Sequence, residues 1–199
     1  MAENSRPEPA MTAADAHTDT GTDPESVTGS DAGRERAADL TALTTAMIRF
    51  NDGDPKRIQH FIKVHRFAQL IGVLEGLDAH TQRILESAAL VHDIGIRPAE
   101  HKYGYQNGKL QETEGPPHAR RMLEQLGWEP ADIERICYLV GHHHTYTQID
   151  GIDYQILVEA DFLVNLFEDD ATPETIRHAR DEIFQTASGI RLCNEMFGL

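Results

Sequence analysis

Cysteine is scarce in the 199 residues: only Cys137 and Cys193 occur, each in helix-like apolar surroundings and neither in a CxxC pair. A reducing compartment, the cytoplasm, is therefore the expected setting. Positive charge is scarce as well, with 18 Lys and Arg against 33 Asp and Glu, a net charge of −15. Such a balance excludes a phosphate-tracking nucleic-acid surface, which needs clustered cations, and leaves a small molecule as the expected partner. No stretch approaches the roughly 18 to 20 apolar residues of a membrane span. The N-terminus lacks the charged and apolar regions of a signal peptide, so no membrane partner is expected. Internal repeats and any sustained β-period alternation are also missing.

What is present divides in two. Residues 1–38 hold no Phe, Trp or Tyr and are dominated by Pro, Thr, Asp, Glu and Gly, too little apolar matter to offset chain entropy. They are expected to form a disordered acidic tail, with residues 39–199 as one helical domain. The first helix is expected from Asp39 to Phe50. Pro55 opens a long second one, Asp78 caps a third ending near Gly95, and a polar loop fills 101–115. Pro116 and Pro117 then precede a helix over 118–126, another covers 130–144, and the strongly apolar ILVEADFLVNLFED (156–169) is expected to be central. Thr172, Pro173 and Glu174 signal the start of a last pair of helices, making the fold all-α.

Several polar residues disobey the apolar pattern: His60, His92, Asp93, His118, the run His142, His143 and His144, and Asp161. An unpaired imidazole or carboxylate in such sequence costs several kcal/mol. A divalent metal satisfies them together, because it binds neutral imidazole and neutralises carboxylate. Adjacent helical residues diverge by about 100°, so His92 and Asp93 can converge on one ion only at a helix end. The same limit admits at most two of the three consecutive histidines, and either register could be the inward one.

His60, the HD pair 92–93 and a late Asp in an apolar helix resemble the HD superfamily of metal-dependent phosphohydrolases. HFIKVHRFAQLI is similar to that family's helix entry, EGLD to its turn and AALVHDIG to its signature helix end; the likeness spans about residues 50–167. His118, the His142–His143 pair and Asp161 fall in the order of its dinuclear branch. The cyclic-di-nucleotide phosphodiesterases of that branch read HDIGK and carry a GYP segment. Here Ile96 and Arg97 follow HDIG and TYTQIDGIDYQ stands in place of GYP, which points instead to a stand-alone phosphohydrolase.

The resemblance implies a helical bundle in which His60, His92, Asp93 and Asp161 hold a first metal. A second would be held by His118, His142 and His143, with Asp93 bridging and His92–Asp93 at the catalytic centre. One or two divalent transition ions, Mn, Fe, Co, Ni or Zn, would activate water against a phosphomonoester or phosphodiester, with a nucleotide the expected substrate. Arg97, Lys109 and Arg121 are the expected phosphate-binding cations, and pairing into a homodimer stays open. Two other readings stand beside this one: a di-iron oxygenase, and a regulatory module that binds metal or nucleotide without turnover.

Overall fold

Helix α1 (Asp31–Phe50) opens the computed structural model, which describes residues 31–199, with side chains from Leu40 onward. The tail expected over 1–38 falls, for residues 1–30, outside the described residues. Helix α1 begins at Asp31 rather than Asp39 because the intervening AGRERAA is rich in Ala, Arg and Glu, all strong helix formers. Asp54 then accepts the backbone N–H of Arg57 and Pro55 takes the first position of α2 (Pro55–Leu74). Asp78 caps α3 (Ala79–Val91) in the same manner.

After α3 the chain tightens into a 3-10 turn, His92–Gly95, and passes straight into α4 (Ile96–Tyr103). There follow α5 (Gly108–Gln125), α6 (Pro130–Val140), α7 (Ile152–Glu168), α8 (Pro173–Ile183) and α9 (Ala187–Phe197). No strand occurs among the described residues, and the fold is all-α. None of these helices is long and apolar enough to cross a membrane.

Helix α7 is the axle of the bundle. Tyr154 through Ala160, then Asp161, Leu163, Val164 and Leu166, are buried, and the helix packs against α2, α3, α8 and α9. Burial on every face requires apolar residues all round, as the sequence has. Helix α7 starts at Ile152, earlier than the apolar run suggests. Gly151, at φ +86°, supplies the left-handed turn before it, and Arg135 of α6 pins that turn through Asp150 and Asp153.

The expected loop over 101–115 is instead the end of α4 and the first half of α5. Asn107 Oδ1 accepts the N–H of Leu110 and starts α5, and Pro116 and Pro117 lie inside the helix. Proline removes backbone donors, a penalty that normally ends a helix. Here packing outweighs it, because Gln111, Gly115, Ala119 and Leu123, spaced four apart, form a continuous buried stripe.

Gly95 does not end a helix by left-handed geometry; its φ is −73°. Its role is close approach: a Cβ built there would meet Gln111 O at 2.5 Å and Gly115 N at 2.8 Å, both backbone atoms of α5. The pair Gly95 and Gly115 thus lets α5 lie directly on the His92–Gly95 turn. Gly95→Ala is expected to lower stability by about 1–3 kcal/mol, read as a fall in the urea midpoint by circular dichroism; an unchanged midpoint would contradict this account of the contact.

Candidate metal centre

Four elements bring their polar residues to one place. Helix α2 contributes His60, the 3-10 turn contributes His92 and Asp93, the turn after α6 contributes His143 and His144, and α7 contributes Asp161. His60 Nε2 lies 3.3 Å from His92 Nε2, 3.4 Å from Asp93 Oδ2 and 3.2 Å from Asp161 Oδ1. His92 Nε2 is 3.5 Å from each of the same two oxygens. On its other side, Asp93 presents Oδ1 to His143 Nε2 at 3.5 Å. His92 and His143 are 0 % and 1 % exposed and form the floor, while His60, Asp93, His144 and Asp161 border a cavity of about 370 Å³.

The orientation of the rings follows from what their outer nitrogens touch. His60 Nδ1 faces Glu168 Oε2 at 3.0 Å, His92 Nδ1 the Ala89 carbonyl at 2.9 Å, and His143 Nδ1 the Val140 carbonyl at 2.8 Å. Carbonyls and ionised carboxylates only accept, so Nδ1 is the donor in all three and the neutral rings turn bare Nε2 lone pairs inward. Lys63 pairs with Glu168 and, together with His60, holds its carboxyl below the usual range against the opposing effect of burial.

Asp161 Oδ1 and His143 Nε2 are buried with no hydrogen-bond partner; the approach of His60 Nε2 to Asp161 Oδ1 is close but not directed. Burial opposes charge on His92, yet the carboxylates of Asp93 and Asp161 raise its pKa to about 9. Burial pushes the Asp93 carboxyl up, yet the imidazoles of His92 and His143 bring it down to about 2. Asp161, opposed in the same way by burial, is held far below the carboxylate range by His60 and His92. The cluster therefore demands positive charge at its centre: imidazolium protons in the metal-free state, or a divalent cation that displaces them.

The donor set fits such a cation. Ligand bonds of about 2.1 Å imply donor-to-donor spacings of about 3.0–3.4 Å, close to those around His60 Nε2. His60, His92 and Asp93 form one group able to hold a metal, and Asp93, His143 and His144 form another, with Asp93 common to both. Mixed imidazole and carboxylate donors suit the transition ions expected from the sequence.

Other residues singled out from the sequence lie elsewhere. His142 donates from Nδ1 to Tyr138 O at 2.7 Å and stacks on the Tyr138 ring at 4.1 Å, joining neither group. His118 accepts from Arg121, sits edge-on to Phe50 and lines a separate cavity of about 640 Å³ with Pro98 and Lys102. Burial and the Arg121 charge lower its pKa. Distance along the helix is the reason: α5 meets the 3-10 turn at Gln111 and Gly115, and His118 lies two turns, about 10 Å, beyond Gln111, where it borders the other cavity. Arg97 is also turned away, donating to the Phe50 and Asp52 carbonyls, and exposed Lys109 and Arg121 do not border the centre's cavity.

Gln111 and Glu168 escaped sequence reading. Gln111 Oε1 accepts from His144 Nε2 at 2.8 Å, and burial with the neighbouring His143 lowers the His144 pKa to about 4. The signal for Glu168 was its position two helical turns beyond Asp161, on the same face of α7. For Gln111 it was the four-residue step to Gly115.

A sequence model of the HD domain matches residues 57–182. Among solved structures, a predicted HD superfamily hydrolase from an uncultured Thermotogales bacterium is similar in fold, with 23% identity, a TM-score of 0.55, and coverage of 81% of this chain and 84% of that one. No curated protein matches the sequence.

Metal uptake is expected to release protons. The carboxylates of Asp93 and Asp161 favour the protonated His92 ring well above its ordinary range despite burial, so affinity for Mn should rise with pH between 6.5 and 8.5, by about tenfold per unit for each proton displaced. Calorimetric titrations in buffers of differing ionisation enthalpy measure both quantities; pH-independent binding without proton release would contradict the electrostatics described.

Proposed function

We propose that this chain, which belongs to the HD domain family, is a metal-dependent phosphohydrolase. His60, His92, Asp93 and Asp161 would hold a first divalent ion; Asp93, His143 and His144 would hold a second. The observation that carries this reading is the shared orientation of His60, His92 and His143, each held at Nδ1 by an acceptor so that Nε2 faces inward beside the Asp93 and Asp161 carboxylates. The two unpartnered atoms, Asp161 Oδ1 and His143 Nε2, support one cation position each. His118 and His142, expected in the second position, give way to His144 on the grounds of their placement.

A divalent cation bound there supplies Lewis acidity toward water and toward phosphoryl oxygens near neutral pH. The protein's own part is positional. Asp93 faces both groups, with Oδ2 toward His60 and Oδ1 toward His143, and would serve both cations. Glu168, itself anchored by Lys63, keeps His60 oriented. Gln111 steadies His144, and Glu112 accepts from the His144 N–H and the Thr145 hydroxyl, which fixes the turn carrying both histidines. A phosphomonoester or phosphodiester, a nucleotide among them, is the proposed substrate class. The acidic lining of the cavity favours such an anion only when cations are in place.

Elemental analysis and phosphate release from a panel of mono- and diesters test the reading, on protein purified without chelator and reloaded with Mn. About two metals per chain are expected. Asp93→Ala should lose bound metal and lower turnover by more than about 100-fold while helical circular dichroism persists. Unchanged turnover in Asp93→Ala would overturn the assignment. Phosphate release under anaerobic conditions would separate it from oxygen chemistry.

A further inference from the structure

None of Arg97, Lys109 and Arg121, the cations expected to bind phosphate, borders the cavity beside the metal centre, which leaves the question of what receives an anionic substrate. Two cations border the cavity beside the metal centre, Lys56 and Arg57. Arg57 is committed: it pairs with Asp54 at 3.2 Å and with Glu100 at 2.5 Å. Lys56 is exposed and has no ion pair or side-chain hydrogen bond among the described residues. It lies four residues before His60 on α2, so its side chain rises from the same helix face one turn away. Its surroundings are acidic, with Asp54, Asp93, Asp161, Glu168 and Asp169 on the cavity wall. Of these, Asp93 and Asp161 belong to the metal centre, Glu168 is taken by His60 and Lys63, and Asp54 caps α2.

Resting on the phosphohydrolase reading, we infer that Lys56 is the specificity-determining residue for a compact phosphomonoester, its ammonium receiving a phosphoryl oxygen that the two cation positions leave free. A monoester has three non-bridging oxygens and a diester two. Two cations and one lysine provide three positive partners, which matches the monoester. A point charge on a flexible stem suits this task, since it follows the phosphoryl group without imposing a bidentate geometry. The cavity, at about 370 Å³, is at the small end for a ligand site, and among the described residues no Phe, Tyr or Trp lines it to stack a base, its rings being those of His60 and His144 at the metal centre. A compact phosphate ester fits that lining better than a base-stacked nucleotide.

Steady-state kinetics of the Mn-loaded full chain on p-nitrophenyl phosphate and bis(p-nitrophenyl) phosphate, with inorganic phosphate as inhibitor, provide the test. Lys56→Ala should raise KM for the monoester and the phosphate inhibition constant about tenfold, with kcat changed less than about threefold. Lys56→Arg should recover most of the loss, the diester KM should move little, and metal content should stay at the wild-type value. Unchanged monoester KM in Lys56→Ala, with wild type active, would overturn the role of Lys56 alone, as would a fall in its metal content. Mn-loaded wild type that neither hydrolyses these esters nor binds phosphate would overturn the phosphohydrolase reading and this inference together.

Discussion

Three hydrogen bonds made at the backs of histidine rings govern this molecule. Nδ1 of His60, His92 and His143 each donates to a fixed acceptor, one carboxylate and two backbone carbonyls. Each bond is modest by itself, on the order of 1 kcal/mol. Their effect is to settle which nitrogen faces inward, and a ring with its lone pair aimed at a buried carboxylate repels it unless a proton or a metal stands between them. The raised pKa of His92 and the lowered pKa of Asp93 are two expressions of that one requirement.

The bundle is arranged to present these rings. The acceptors for His92 and His143 are the carbonyls of the last turns of α3 and α6, so the ends of two helices serve as templates for the imidazoles that follow them. The α3 end is held by the contact of Gly95 with α5, and the α6 end by Glu112 and by Tyr154, whose hydroxyl meets the carbonyls of His142 and Thr145. Helix α7 adds Asp161 from within the core and Glu168 from its final turn. A buried polar centre is tolerated because the outer nitrogens of its rings have partners, and its two unpartnered atoms, Asp161 Oδ1 and His143 Nε2, face inward.

Much of this was legible in the chain. Helical periodicity and capping residues marked the helices, and polar residues at apolar positions marked His60, His92, Asp93 and Asp161, which the structure brings together. What could not be read depended on tertiary contacts. Pro116 and Pro117 are strong breakers locally, and only the stripe of α5 against the 3-10 turn keeps them helical. His118, two turns beyond Gln111 on α5, borders the cavity with Phe50 and Pro98 instead. Among three consecutive histidines, the inward placement of His143 and His144 rather than His142 accompanies the stacking of His142 on Tyr138 and a hydrogen bond from His144 Nε2 to Gln111 Oε1, neither visible in a periodic pattern. Arg97 and Arg121 carry the right charge, but their side chains are bound to carbonyls of the α1–α2 connection and to His118.

Anomalous diffraction from crystals of the Mn-loaded protein, recorded near the Mn absorption edge, tests the central claim most directly. The account predicts a peak enclosed by His60 Nε2, His92 Nε2, Asp93 Oδ2 and Asp161 Oδ1, and a second between Asp93 Oδ1, His143 and His144. Fully loaded crystals with no anomalous density inside this cluster, or with metal instead at His118 or His142, would contradict it.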